Sequence, residues 1–202
     1  MLFRSQMTIS LPERDGSLIP EAFEVLKPFL NRFSLLCVGP GLTTAPHTVE
    51  FVSRLIREVD LPIILDADGL NALSLVPESA QERTRRGLPP LLLTPHPGEA
   101  SRLLGTSIAE IQSHRIESVR ELAERYSAVA LLKGSNTLIT APGQPIGVNS
   151  TGNPGMATGG SGDTLTGILG GILAQASFRN RYTESMALGA WLHGEEIGRA
   201  HV

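Results

Sequence analysis

Four short aliphatic runs recur along the chain, and each is cut off by residues that do not continue a strand. Leu35-Leu36-Cys37-Val38 stops at Gly39-Pro40-Gly41, and Pro62-Ile63-Ile64-Leu65 stops at Asp66-Ala67-Asp68-Gly69. Leu91-Leu92-Leu93-Thr94 ends at Pro95-His96-Pro97-Gly98, and Val129-Ala130-Leu131-Leu132 ends at Lys133-Gly134. Unbroken apolar runs this short, closed by turn residues, predict strands buried on both faces. Thr137-Leu138-Ile139 is placed to pair beside the fourth. Helical spacing fills the intervals. Val49, Val52, Leu55, Ile56 and Val59 recur between Thr44 and Val59. Ser107-Ile108-Ala109-Glu110 fits a capping box, opening a helix with Ile111, Val119, Leu122 and Tyr126 on its apolar side. Leu165, Ile168, Leu169, Ile172 and Leu173 form an amphipathic stripe. A last helix covers about Thr183 to Gly194, with Trp191 expected inside. Strands alternating with helices predict an α/β fold with a largely parallel central sheet. Ligands of such sheets bind beyond the carboxyl ends of the strands, where the glycine-rich polar segments of this chain fall.

With 202 residues, 41% of them apolar, the chain can bury one sizeable core and reads as a single domain. The net charge is −3 and the Lys and Arg residues are scattered, which argues against a nucleic-acid footprint. A phosphate-rich ligand must then be held by backbone amides and a few local cations. Cys37, the lone cysteine, excludes an intrachain disulfide framework and is expected to be a small buried hydrophobe. No apolar run reaches the ~20 residues of a membrane span, and no secretory segment follows the start. The expected location is the cytoplasm. The two ends, 1–5 and 196–202, back-translate readily into common sequencing-adapter DNA and are expected to be non-native, leaving 6–195 as the genuine domain.

The sharpest chemical signal runs from Asn149 to Asp163, a stretch dense in glycine that empties into the helix starting near Ser161. Glycines let backbone approach a ligand closely, and a helix N-terminus offers unpaired N–H groups to an anion. Asp163, in the first turn, reads either as a carboxylate that stabilises its own helix or as a base taking a proton from a substrate hydroxyl. Asp66 and Asp68 read equally as capping residues or as carboxylates that reach Mg²⁺ through water. His96, between two prolines, reads as a solvated loop histidine or a ligand contact. Lys133 reads as a surface charge or a cation on phosphates. His47, His114 and His193 read as structural or exposed. No Cys/His spacing suggests zinc, and no Gly-x-x-x-x-Gly-Lys-Ser/Thr loop occurs.

Gly159-Gly160-Ser161-Gly162-Asp163 is similar to the Gly-x-Gly-Asp element of ribokinase-like enzymes. Thr151 to Leu169 resembles the signature of the NAD(P)H-hydrate dehydratase family within that superfamily. Thr94-Pro95-His96-Pro97-Gly98-Glu99, Asp66-Ala67-Asp68-Gly69-Leu70-Asn71, Val38-Gly39-Pro40-Gly41-Leu42 and Lys133-Gly134-Ser135-Asn136-Thr137 resemble further motifs of the family. The resemblance spans about Leu35 to Gly194. It implies a ribokinase-like three-layer α/β/α fold, a homo-oligomeric full-length parent, and ADP or ATP with Mg²⁺ as cofactors. The implied reaction phosphorylates the 6-hydroxyl of (6S)-hydrated NADH or NADPH; phosphate then leaves and the dihydropyridine returns. Gly41, His96 and Asp163 match substrate-binding positions, and Asp163 also matches the catalytic acid/base. Lys133, Gly134, Ser135, Asn136, Thr137, Gly159, Gly160, Ser161 and Gly162 match the nucleotide site. Neither nucleic acid nor membrane is an expected partner.

Two departures stand out. Thr43 occupies a place where the family pattern usually has another glycine. Family members also begin with a strand–helix–strand portion that contributes to the substrate site, and this chain lacks it, so a truncated fragment is expected. Two other readings share the same glycine-rich anion site: a ribokinase-like kinase of hydroxymethylpyrimidine or hydroxyethylthiazole, and an inactive nucleotide-binding fragment.

Overall fold

The computed structural model describes residues 8–200, with side chains through residue 195. The ends expected to be non-native therefore lie outside the described residues, except for the helical backbone of 196–200. A small hairpin comes first, β1 (Glu13–Arg14) and β2 (Ser17–Leu18), turned by Asp15 and Gly16 at positive φ as an Asp-Gly turn demands. Then follow α1 (Ala22–Leu26), β3 (Leu36–Val38), α2 (Pro46–Glu58), β4 (Ile63–Leu65), α3 (Ala67–Leu75), α4 (Glu78–Arg85) and β5 (Leu91–Leu93). After these come α5 (Pro97–Leu104), α6 (Ile108–Ser113), α7 (Arg115–Tyr126), β6 (Val129–Leu132), β7 (Thr137–Thr140), β8 (Gly147–Asn149), α8 (Ser161–Leu173) and α9 (Tyr182–Ala200).

Among the described residues the main sheet has six strands in the order β3-β4-β5-β6-β7-β8. The first four are parallel, and β7 and β8 return antiparallel. Each parallel strand joins beside its predecessor in the same direction, so right-handed crossovers put all their helices on one face. That face buries Ile63, Leu65, Leu91, Leu93, Ala130 and Leu132 against α1 to α7. The alternate residues, Ile64, Leu92, Val129, Leu131 and Ile139, point to the opposite face and pack on Leu165, Leu169 and Leu173 of α8 and on Met186 and Ala190 of α9. Period-two alternation thus serves two helical layers at once, and the expected three-layer α/β/α fold results.

The structure corrects four expectations. Trp191 is 47% exposed on α9 rather than packed inside. Cys37 is exposed, because β3 is an edge strand. Its sulfur nonetheless lies against α8, 3.9 Å from the Thr166 carbonyl, and desolvation there raises the thiol pKa to about 11. The raised pKa keeps the thiol protonated at neutral pH. The helix opened by the Ser107 cap is two helices, since His114 takes φ −129°, ψ 52° between α6 and α7. Finally, β8 is a strand where the sequence between Thr140 and Ser161, rich in Gly, Pro, Asn and Thr, predicts loop.

Candidate active site

The carboxyl ends of the parallel strands are stitched to one another. Asp66 N–H donates to Val38 O (3.2 Å), Thr94 N–H and Oγ1 donate to Leu65 O (3.2 and 3.1 Å), and Lys133 N–H donates to Pro95 O (2.8 Å). Glycine is obligatory at the first of these joins. A Cβ on Gly39 would sit 1.7 Å from Asp66 O, and one on Gly69 would sit 2.4 Å from Val38 O. The motifs after β3, β4, β5 and β6 therefore form one continuous rim.

Asp66 is the buried centre of that rim, 2% exposed. It occupies the N-cap position of α3, yet its side chain caps nothing. Instead Lys133 Nζ donates to Oδ1 at 2.8 Å and Thr166 Oγ1 donates to Oδ2 at 2.8 Å. Lys133 also lies 3.8 Å from Glu99 Oε2. A Cβ on Gly162 would meet Lys133 Nζ at 3.4 Å and Asp66 Oδ2 at 3.7 Å, so the first turn of α8 rests on this ion pair. Among the described residues, the amides of Gly162 and Asp163 have no main-chain acceptor outside the helix. That is the orphan-donor arrangement a helix start leaves for an anion. Gly160 makes the entry possible with φ 86°. Asp163 itself is exposed and, among the described residues, its carboxylate has neither a hydrogen bond nor an ion pair. It lines a groove of about 510 Å³ with Cys37, Val38, Gly39, Pro40 and Gly167.

His96 turns out to be a helix cap. Its Nδ1 accepts from Gly98 N–H (2.9 Å) and Glu99 N–H (3.3 Å), while Glu99 Oε2 accepts from His96 N–H (2.8 Å). This is a capping box with histidine in the usual serine position. The neutral ring proton consequently sits on Nε2, 3.4 Å from Glu99 Oε1, on a side chain half exposed. The spacing His-x-x-Glu ahead of an apolar stripe is the signal that could have disclosed Glu99.

Asp68 faces away from the buried pair. It accepts from Thr43 N–H (2.9 Å) and Asn71 Nδ2 (3.1 Å), and Asn71 in turn accepts from Arg102 Nε (2.8 Å). The chain holds the turn containing Gly41 (φ 76°) and Thr43 (φ 67°). The departure at Thr43 thus puts a β-branched residue in left-handed backbone, where glycine costs least. Gly41 borders a separate small hollow with Leu11, Gly16 and Leu18. Among the described residues no three His, Cys, Asp or Glu side chains gather as a metal cage.

Lys133 to Thr137 form the turn between β6 and β7, with Ser135 and Asn136 exposed. The Arg115 guanidinium lies beneath it, near the carbonyls of Leu132 (3.3 Å), Lys133 (3.4 Å) and Asn136 (3.3 Å). Sequence reasoning missed Arg115, Glu99 and Thr166, whose parts depend on contacts across the fold.

The family model for NAD(P)H-hydrate dehydratase matches residues 9–200. The chain is 46% identical over 190 residues to a bifunctional NAD(P)H-hydrate repair enzyme Nnr of Moorella thermoacetica, covering 93% of this chain and 34% of that protein. It is 45% identical over 158 residues to an ADP-dependent (S)-NAD(P)H-hydrate dehydratase of Neisseria meningitidis, covering 78% and 52% respectively. An ADP/ATP-dependent NAD(P)H-hydrate dehydratase from Bacillus subtilis, co-crystallised with ATP/Mg²⁺, superposes with a TM-score of 0.63 at 34% identity, over 80% of this chain and 54% of that one. The chain spans between a third and about half of the length of these relatives. With the motifs along the rim and a family match over nearly its whole described length, this chain belongs to the NAD(P)H-hydrate dehydratase family.

Proposed function

We propose that the chain carries the nucleotide-dependent dehydration of (6S)-hydrated NADH or NADPH back to the dihydropyridine. The observation that carries this reading is the seating of the α8 N-terminus on the Lys133–Asp66 ion pair, with Asp163 free beside it. Lys133 to Thr137 and Gly159 to Gly162 hold the adenine nucleotide, with Gly162 N–H and the Lys133 ammonium directed at its phosphates. Gly41, His96 and Asp163 contact the hydrated nicotinamide. Asp163 orients the 6-hydroxyl and accepts its proton as the hydroxyl oxygen bonds to the terminal phosphorus of the nucleotide and the bond from that phosphorus to the bridging oxygen breaks, releasing the nucleotide shortened by one phosphate. The C–O bond then breaks, phosphate departs, and loss of a ring proton restores the double bond.

The donor set suits Mg²⁺ that arrives with nucleotide and keeps most of its waters, since the protein builds no cage of its own. Asp66 and Asp68 would reach such an ion through water; Asp66 also accepts from Lys133 and Thr166, and Asp68 from Thr43 and Asn71. When bound, the ion would neutralise phosphate charge. We place the activity in the cytoplasm; among the described residues no helix is long and apolar enough to cross a membrane.

The test is return of 340 nm absorbance from hydrated NADH on addition of ADP or ATP with Mg²⁺. Recovery that depends on nucleotide is expected. Inert hydrated NADH, together with phosphorylation of a pyrimidine or thiazole alcohol, would move the chain to the kinase class.

A further inference from the structure

One turn of α9 grips the glycine-rich segment at both of its ends. At the entry, Asn149 Nδ2 donates to Ala190 O (3.1 Å), and the Thr151 hydroxyl lies 3.2 Å from Trp191 O. Gly194 leaves room for Thr151, since a Cβ there would stand 2.1 Å from Thr151 Oγ1. At the exit, His193 Nε2 lies 2.9 Å from the Ser161 carbonyl and 3.3 Å from Ser161 Oγ. His193 is 9% exposed. A ring nitrogen facing a carbonyl must carry a hydrogen, so Nε2 is the donor whether the ring is neutral or charged.

That carbonyl has a particular neighbour. The Ser161 C=O and the Gly162 N–H belong to one planar trans peptide unit and point in opposite directions. Fixing the carbonyl on the α9 side aims the amide the other way, off the start of α8, in the same turn where a Cβ on Gly162 would stand 3.4 Å from Lys133 Nζ. We propose that His193 is a positioning residue, holding the Ser161–Gly162 peptide so that the Gly162 N–H is preset to receive an anion. The anion's identity as nucleotide phosphate rests on the function proposed above; the positioning does not. Preorganised donors need no reorganisation when charge arrives, which is where such a residue gains its effect.

The experiment compares the chain with its His193→Gln and His193→Leu variants by nitrogen-15 NMR and by calorimetric titration with ADP and Mg²⁺. Glutamine keeps a donor near the Nε2 position and leucine removes it. In the unsubstituted chain His193 Nε2 is expected to give a protonated, pyrrole-type signal. His193→Leu should shift the Gly162 amide resonance and weaken ADP about fivefold or more, the worth of one ordinary hydrogen bond. His193→Gln should restore both, whatever either variant does to the melting temperature. An unmoved Gly162 amide in a folded His193→Leu protein, or an unprotonated Nε2 in the original chain, would overturn the inference. If the chain binds no ADP while the Gly162 amide still follows the variants, the nucleotide reading fails and the positioning stands. Should His193→Leu not fold, the Nε2 signal and the glutamine variant decide the matter.

Discussion

Asp66 and Asp163 stand at the same end of the sheet, and their surroundings set them to different work. Asp66 is enclosed, with one oxygen on Lys133 and the other on Thr166. Asp163 is open, at the start of a helix whose amides face the same space. A positioned base typically contributes ~10²–10⁴-fold in rate. Asp163→Asn is therefore expected to lower kcat at least ~10²-fold in the 340 nm assay while ADP affinity changes little; near-normal turnover would remove Asp163 from the chemistry. His193 supplies a pH signature. Burial, and secondarily the charge of Lys133, lower its pKa below the ordinary 6.5 despite its bond to Ser161. The unfolded chain takes up that proton near pH 6.5, whereas the folded chain resists until lower pH. Stability is thus complete above about pH 6.5 and is lost as pH falls from there through the folded value. Denaturation curves taken across that interval should be less steeply pH-dependent in His193→Gln, and equal slopes would exclude the assignment. None of this was readable for His193 from sequence. A lone histidine on a helix gives no sign of the carbonyl it meets 32 residues away.

At the scale of elements, Arg83 on α4 holds the first crossover together. It is 2% exposed and donates to Ile56 O (2.7 Å), Val59 O (3.0 Å) and Pro89 O (2.6 Å), and it also donates to Leu61 O. These carbonyls belong to the end of α2 and to the approaches to β4 and β5. Burial lowers its pKa to about 10, so it stays charged at neutral pH. Arg83→Met would strand several carbonyls and is expected to cost at least about 3 kcal/mol in urea denaturation. Lysine should not rescue it, having no planar fork of donors. A loss below about 1 kcal/mol would mean that water replaces the guanidinium. The strands and their terminal turns were legible because unbroken aliphatic runs with glycine or proline behind them have few alternatives. Helix α4 was not, since its sequence Glu78 to Arg85 is polar almost throughout and its buried arginine looks like a surface residue. Helix α5 was hidden behind Pro97, and β8 is exposed at two of its three residues, leaving no apolar pattern to read.

For the whole molecule, the edge formed by β3 carries the main hazard. Among the described residues nothing pairs with its outer side, and the apolar groove beside it is lined by Leu11, Leu18, Leu26, Leu36, Phe51 and Leu55. An open strand edge beside apolar surface invites a second copy. Light scattering and sedimentation of the 202-residue chain should show association that grows with concentration; a monodisperse, cooperatively melting monomer would contradict this. Trp191 misled the sequence reading at this same scale. An aromatic among aliphatics suggests a core face, but the buried side of α9 carries Met186, Ala190 and His193, which leaves Trp191 on the outer side.

The sheet's order of strands also fixes an order of assembly. From β3 to β6 each strand neighbours its predecessor in both sequence and space, so that layer closes by successive helical crossovers between adjacent strands. The layer of α8 and α9 is tied on by distant contacts, such as Thr166 to Asp66 across 100 residues. Long closures cost more entropy before they are rewarded, and they are the first to reopen. Under native-state hydrogen exchange, amides of Leu165 to Leu173 should therefore exchange through a smaller opening than those of β4 and β5. Nucleotide held at Gly162 and Lys133 as proposed would span the seam between the two layers and should slow exchange in α8 in particular. Uniform protection across both layers would argue against two units. On this view the ligand acts as a latch on the later half of the fold.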